Sequence, residues 1–189
     1  MKIRKICFVT GSRAEYGLMS LLIKSINDNP SMELEIVATG MHLSSDYGLT
    51  FQEIERDGFT IDHKVEMLLL SDSQSSISKS IGQGIIGFAD LFDKYKPDIL
   101  LIHGDRYEIL SAAIAAMNFF IPIAHVAGGE LTMGSLDDIT RHTLTKMSWW
   151  HFVSNSTYKN RVIQLGEDPR KVFNVGDLGV YSINNKKLL

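Results

Sequence analysis

Four apolar runs that end at glycines decide what this chain can fold into. Lys5–Thr10 stops at Gly11, Leu34–Thr39 at Gly40 and Asp98–His103 at Gly104, and Ile121–Val126 stops just before Gly128 and Gly129. The runs are continuous rather than alternating, which is the pattern of strands covered on both faces, as in a parallel sheet. Trp150–Ser154 and Val172–Val175 add two shorter runs, and Phe59–Val65 alternates weakly and is placed at an edge. Helical patterns separate them. Leu18, Leu21, Leu22 and Ile26 recur at three- and four-residue steps until Asn27-Asp28-Asn29-Pro30 stops them. Ser75–Tyr95 is long, interrupted at Gly82, Gly84 and Gly87, and carries Phe88, Leu91, Phe92 and Tyr95 on one stripe. Tyr107–Asn118 is alanine-rich, and Asp137–Met147 places Thr140, Leu144 and Met147 on one side. Strand and helix alternate from end to end, which predicts an α/β, doubly wound parallel sheet of Rossmann-like type with right-handed crossovers.

Composition narrows the class. The 189 residues fit one domain at roughly 100–200 residues per domain. Apolar residues are 44% and charged residues 22%, so a disordered chain is excluded. Lys plus Arg is 19 and Asp plus Glu is 22, a net charge of −3 that lacks the basic footprint of a nucleic-acid partner. Cys7 is the single cysteine and sits inside an apolar run, where it behaves as a small hydrophobe rather than a nucleophile. No apolar run reaches the ~18–20 residues of a membrane span. Ile6–Thr10 is too short for a signal-peptide core, so a soluble, cytoplasmic domain is expected. Residues 1–175 are assigned to the Rossmann-like domain and 176–189 to a truncated linker, because Asn184–Leu189 shows no strand or helix partner. Ser71–Ser76 reads as a mobile loop leading into a helix.

In open α/β sheets, ligands lie beyond the C-terminal ends of the strands, and polar residues gather there. Gly11 permits a tight turn, the next helix offers free N–H groups to an anion, and Arg13 adds a phosphate-matching fork. An ordinary turn with a surface arginine is the plainer alternative; neither a Gly-x-Gly-x-x-Gly nor a Walker pattern is present. His42 follows the second run, and a lone histidine there is more often structural or merely exposed than functional. Asp105 beside Arg106 suits acid/base work or a sugar hydroxyl, with the arginine holding it ionised, or else it caps a helix. Glu130 stands in a loop after paired glycines with no obvious structural duty. Asp137 and Arg141 share a helix face, functionally or as a surface pair worth about 0.3–1 kcal/mol. Crowded carboxylates raise the pKa of at least one, which lets an acid and a base coexist at neutral pH. His103, Asp105 and His125 lack the spacing of a zinc site, so no metal is predicted.

Five segments occur in an order that resembles the N-terminal half of a UDP-N-acetylglucosamine 2-epimerase. They are Gly11-Ser12-Arg13-Ala14-Glu15-Tyr16, Gly40-Met41-His42-Leu43-Ser44, His103-Gly104-Asp105-Arg106, Gly128-Gly129-Glu130-Leu131-Thr132 and Asp137-Asp138-Ile139-Thr140-Arg141-His142. The likeness covers about residues 4–184 and points to the hydrolysing branch. It implies the N-terminal domain of a glycosyltransferase-B-like two-domain fold, with a UDP-sugar in the cleft and no cofactor. The implied reaction converts UDP-N-acetylglucosamine to N-acetylmannosamine and UDP, for sialic acid synthesis; close relatives use a diacetamido-trideoxy sugar. By this resemblance Asp105, Glu130 and Asp137 are the catalytic carboxylates. Arg13 faces the diphosphate, His42 and Arg106 line the cleft, and Arg141 and His142 position Asp137 and the sugar. Some relatives carry a glutamate where Ala127 stands, and Glu130 is the substitute offered here.

Family members run to about twice this length, so the chain is expected to lack a C-terminal domain and to be inactive alone. Two other functions share the fold: a glycosyltransferase, and a non-catalytic nucleotide-sugar binding module. Trp149, Trp150, Met133, Met147 and Phe152 serve core packing or, if exposed, face that second domain or a second copy of the chain in a homo-oligomer.

Overall fold

A computed structural model describes residues 3–185. Seven strands alternate with helices: β1 Arg4–Thr10, α1 Arg13–Asn27, β2 Met32–Thr39, α2 Phe51–Arg56, β3 His63–Val65, α3 Gln74–Lys94, β4 Ile99–His103, α4 Tyr107–Asn118, β5 Ile123–Val126, α5 Leu136–Met147, β6 Trp150–Val153, α6 Ser156–Gln164, β7 Val172–Asn174 and α7 Leu178–Asn185. The strands form one sheet in the order β3-β2-β1-β4-β5-β6-β7, and every pair is parallel. The order reverses between β1 and β4, which creates the crevice where such sheets take ligands.

The continuous runs are covered on both faces. Cys7, Val9, Leu100 and Ile102 pack with Phe88, Phe92, Ile109 and Leu144 from α3, α4 and α5. Ile6, Phe8, Ile36 and Leu101 point the other way, onto Tyr16, Met19 and Ile23 of α1. The glycines of α3 bring it close to its neighbours. A Cβ on Gly84 would lie 2.8 Å from Ser111 Cβ, and one on Gly87 2.7 Å from Val65 Cγ1. The polar cluster before α3 ends in a cap, since Ser73 Oγ accepts from Ser76 N.

Three readings change. The edge strand is only His63–Val65, because Phe59 and Ile61 pack onto the core from the loop before it. α2 and α6 form in segments whose helical pattern is weak. Asn184 and Asn185 end α7, contrary to the expectation of no helix there, and Leu178 at its start packs on the α1 face. Residues 186–189 of the expected linker lie outside the described residues. The tryptophan group divides. Trp150 and Phe152 pack on the α1 side and Met147 on the other, while Met133 is 88% exposed. Trp149 is half-exposed beneath Lys171, whose Nζ sits 3.1 Å from the ring centroid. Among the described residues no helix is long and apolar enough to cross a membrane.

Candidate active site

The ends of β4, β5 and β6, with the starts of α1 and α7 and the Gly176-Asp177 link before α7, line a cavity of about 310 Å³. Asp105, Arg106, Glu130, Asp137 and Arg141 all line it, so five of the eight sequence candidates meet. Gly104, with φ +79, turns the chain out of β4 and delivers Asp105 to the cavity. Ser135 caps α5 by accepting from Asp137 N, which fixes Asp137 in the first turn. Arg141, one turn on, is buried; it pairs with Asp105 and donates from Nη1 to Thr132 Oγ1 at 3.1 Å. Ser154 at the end of β6 donates to Glu130 Oε1 at 3.1 Å.

Burial raises the pKa of Asp105 above the usual carboxylate range; Arg141 opposes this and Asp137 adds to it. Glu130 is also raised, first by burial, with the Ser154 hydrogen bond opposing. Both carboxylates thus stand in surroundings that favour their neutral forms more than water does. The arginine expected to hold Asp105 ionised is its neighbour Arg106; the one that pairs with it is Arg141, with Arg106 adding a weaker favourable charge. The neighbouring Arg106 is engaged by Glu108 instead, at 3.0 and 3.2 Å. Nor does Asp105 cap α4; the N-cap is Arg106. Arg141, expected to position Asp137 across one helix turn, reaches over to β4 and pairs with Asp105.

Three candidates stand apart. His42 is fully buried, with Nε2 3.1 Å from Thr10 Oγ1 and Nδ1 2.8 Å from Thr50 Oγ1, so it braces the β1 and β2 ends rather than lining the cavity. Burial lowers its pKa to about 4, and it is neutral. Arg13 is outside the lining and pairs with Glu53 at 2.9 Å, its side chain 74% exposed. His142 is outside the lining and lies 3.7 Å from Asp138. His125 is spent on the fold as well, with Nε2 2.8 Å from Gly104 O.

Sequence reasoning missed several groups. Glu15 lines the cavity and accepts from Gly11 N and Ser12 N at 2.9 and 3.1 Å. Two donors expected to await an anion at the start of α1 are thereby occupied. Burial pushes Glu15 up to about 8. The Ser12-x-x-Glu15 spacing is a capping box and was the available signal. Asp177 lines the cavity while capping the start of α7, accepting from Val180 N at 2.9 Å. His103 lines it too; burial and then Arg141 lower its pKa to about 4. Glu108 carried no local signal, since an acid in a helix's first turn is ordinary.

Residues 24–188 match the sequence profile of the family described as UDP-N-acetylglucosamine 2-epimerase. A hydrolysing GDP/UDP-N,N'-diacetylbacillosamine 2-epimerase of Campylobacter jejuni is 45% identical over all of this chain and 49% of its own length. The hydrolysing UDP-N,N'-diacetylbacillosamine 2-epimerase of Legionella pneumophila is 42% identical over 98% of the chain and 49% of its own. The polysialic acid biosynthesis protein P7 of Escherichia coli is 44% identical over 94% of the chain and 45% of its own. The chain thus spans about half the length of these relatives. A crystal structure of a UDP-N-acetylglucosamine 2-epimerase superposes with a TM-score of 0.88 at 19% identity, over 100% of this chain and 51% of that one. The Neisseria meningitidis enzyme bound to UDP-GlcNAc gives 0.82 at 22%, over 97% of this chain and 51% of that one. At those identities the structures speak for the fold, and the profile and the closer sequences for the family: this chain belongs to the UDP-N-acetylglucosamine 2-epimerase family.

Proposed function

We propose that the protein carrying this chain is a hydrolysing 2-epimerase of a UDP-linked 2-acetamido sugar. The observation that carries the reading is the convergence of Asp105, Glu130 and Asp137 on one cavity, with Arg141 bound to the first. A carboxylate removes the C2 proton of the sugar as the C1–O bond breaks and UDP departs, leaving a C1=C2 double bond. Water then adds its oxygen to C1, and a second carboxylate returns a proton to the opposite face of C2. Burial raises both Asp105 and Glu130, the direction that general acid/base catalysis by a carboxylate calls for. Arg106 at the rim, and Arg13 on leaving Glu53, oppose the diphosphate charge.

The sequence motifs alone led to UDP-N-acetylglucosamine as substrate. The relatives named for diacetylbacillosamine are 45% and 42% identical, against 32% for a Neisseria meningitidis UDP-N-acetylglucosamine 2-epimerase, which favours the diacetamido sugar. Both readings need a second domain to complete the cleft, so the isolated 189 residues are expected to be inactive. The test is turnover of each UDP-sugar by the whole protein in deuterated water. Release of UDP with deuterium at C2 of an inverted free sugar is expected. Transfer to an acceptor without exchange would make it a transferase, and binding without turnover a binding module.

A further inference from the structure

Arg106 stands between two cavities. One is the cleft just described; the other, about 270 Å³, is walled by Met41, Tyr47, Leu69 and Tyr107. A long side chain between two openings turns to either unless something holds it. Glu108 holds this one side-on, accepting from Nε and Nη2, and Met41 Sδ lies 3.8 Å from Nη2. Among the described residues Nη1 has no hydrogen-bond partner, so its N–H groups are left for a ligand.

The seat of Glu108 is built at some cost in sequence freedom. The residue is fully buried, although first-turn acids of a helix ordinarily face solvent. A Cβ on Gly11 would lie 3.0 Å from Glu108 Cβ, and one on Gly40 2.6 Å from its Cγ. Side chains are thus absent at the ends of two strands where this carboxylate packs. A buried charge is tolerated when paired, and Arg106 is its partner.

We infer that Glu108 is a positioning residue, locking Arg106 so that its Nη1 N–H groups meet the anionic diphosphate of the substrate in the cleft. This rests on the functional reading above and deepens it. Glu108 touches no substrate; it acts by removing the rotamer freedom that Arg106 would otherwise lose on binding.

UDP is the probe, titrated by calorimetry against the whole protein as wild type, Glu108→Gln, Arg106→Gln and the double variant. Glu108→Gln is expected to weaken UDP about tenfold, the scale of a charged hydrogen bond. KM rises with it, and kcat moves little. The double variant is expected to bind no more weakly than Arg106→Gln alone, because one residue works through the other. Additive losses, or an unchanged Kd in Glu108→Gln, overturn the inference. If Glu108→Gln does not fold, Glu108→Asp keeps the charge with a shorter reach. It should weaken UDP in the wild-type background and not in Arg106→Gln; equal loss in both overturns the inference. A wild type that turns over UDP-sugars while these variants bind UDP normally sinks the positioning role alone. A wild type that neither binds UDP nor turns over any UDP-2-acetamido sugar sinks the functional reading, and this role with it.

Discussion

Polar side chains crowd two stretches of the same sheet edge, and the fold uses them in opposite ways. Beyond β1 and β2, His42 has both ring nitrogens engaged by threonines and lies outside the cavity. Beyond β4, β5 and β6, Asp105, Glu130 and Asp137 open into one cavity. A polar residue at a strand end is therefore no site by itself. What separates the two is access to the cavity: Thr10 and Thr50 close off His42, whereas Asp105, Glu130 and Asp137 face the opening.

The sharpest way to break this contrast is Asp105→Asn in the whole protein. Removing an acid/base group should lower kcat about 10²- to 10⁴-fold with the fold intact by circular dichroism. Turnover at the wild-type level would move the β4 end into the same class as the β2 end. On the other side, Gly40→Ala should act on stability. Gly40 has φ +55, and the added Cβ would come within 2.6 Å of Glu108 Cγ. Strain and overpacking together predict a loss of about 2–4 kcal/mol, seen as a lower midpoint in urea or thermal melts. An unchanged midpoint would mean that Glu108 yields easily and is not tightly seated.

The same contrast marks what the sequence could disclose. The parallel sheet was legible because Lys5–Thr10 and Asp98–His103 are buried on both faces and so carry no polar alternation. Tyr107–Asn118 matched its helix at both ends, since its alanines favour helix. The short helix Phe51–Arg56 escaped, because one buried residue, Ile54, makes no periodicity. In the site, strand position together with the family motifs singled out Asp105 and Glu130, which stand past β4 and β5 and line the cavity. It also promoted His42, whose fate depended on Thr50 eight residues on, and it gave no hint that Arg141 would choose Asp105 over Asp137. Position along the chain is local, whereas satisfaction of a polar group is settled by tertiary partners.

Acid titration sharpens the comparison with a smaller effect. His42 and His103 are both held to about 4, below the ordinary 6.5, so the folded protein keeps them neutral while the unfolded chain takes up protons. Their contribution to stability is full above 6.5 and falls as pH drops from 6.5 towards 4, by about 1.4 kcal/mol per proton per pH unit. Glu15, raised to about 8, works in the opposite direction: its contribution is lost as pH rises from the ordinary 4.5 towards 8. Melting temperatures against pH should flatten on the acid limb in His42→Asn and on the alkaline limb in Glu15→Gln. Unchanged limbs would show that these groups titrate alike in both states.

The smallest structural effect belongs to Arg13, and it is informative because it is small. The Arg13–Glu53 pair lies at the surface, where such pairs contribute about 0–1 kcal/mol and weaken with salt. Arg13→Ala should therefore leave the melting midpoint nearly unchanged. A guanidinium bound so weakly is free to exchange Glu53 for a more highly charged diphosphate, so the same variant should raise KM for a UDP-sugar several-fold at unchanged kcat, an effect that salt diminishes. If KM stays put, Arg13 joins His42 among residues serving the framework, and the cleft draws its positive charge from Arg106 and Arg141. If the midpoint falls by several degrees, the pair with Glu53 braces α1 against α2, and Arg13 is not available to a ligand at all.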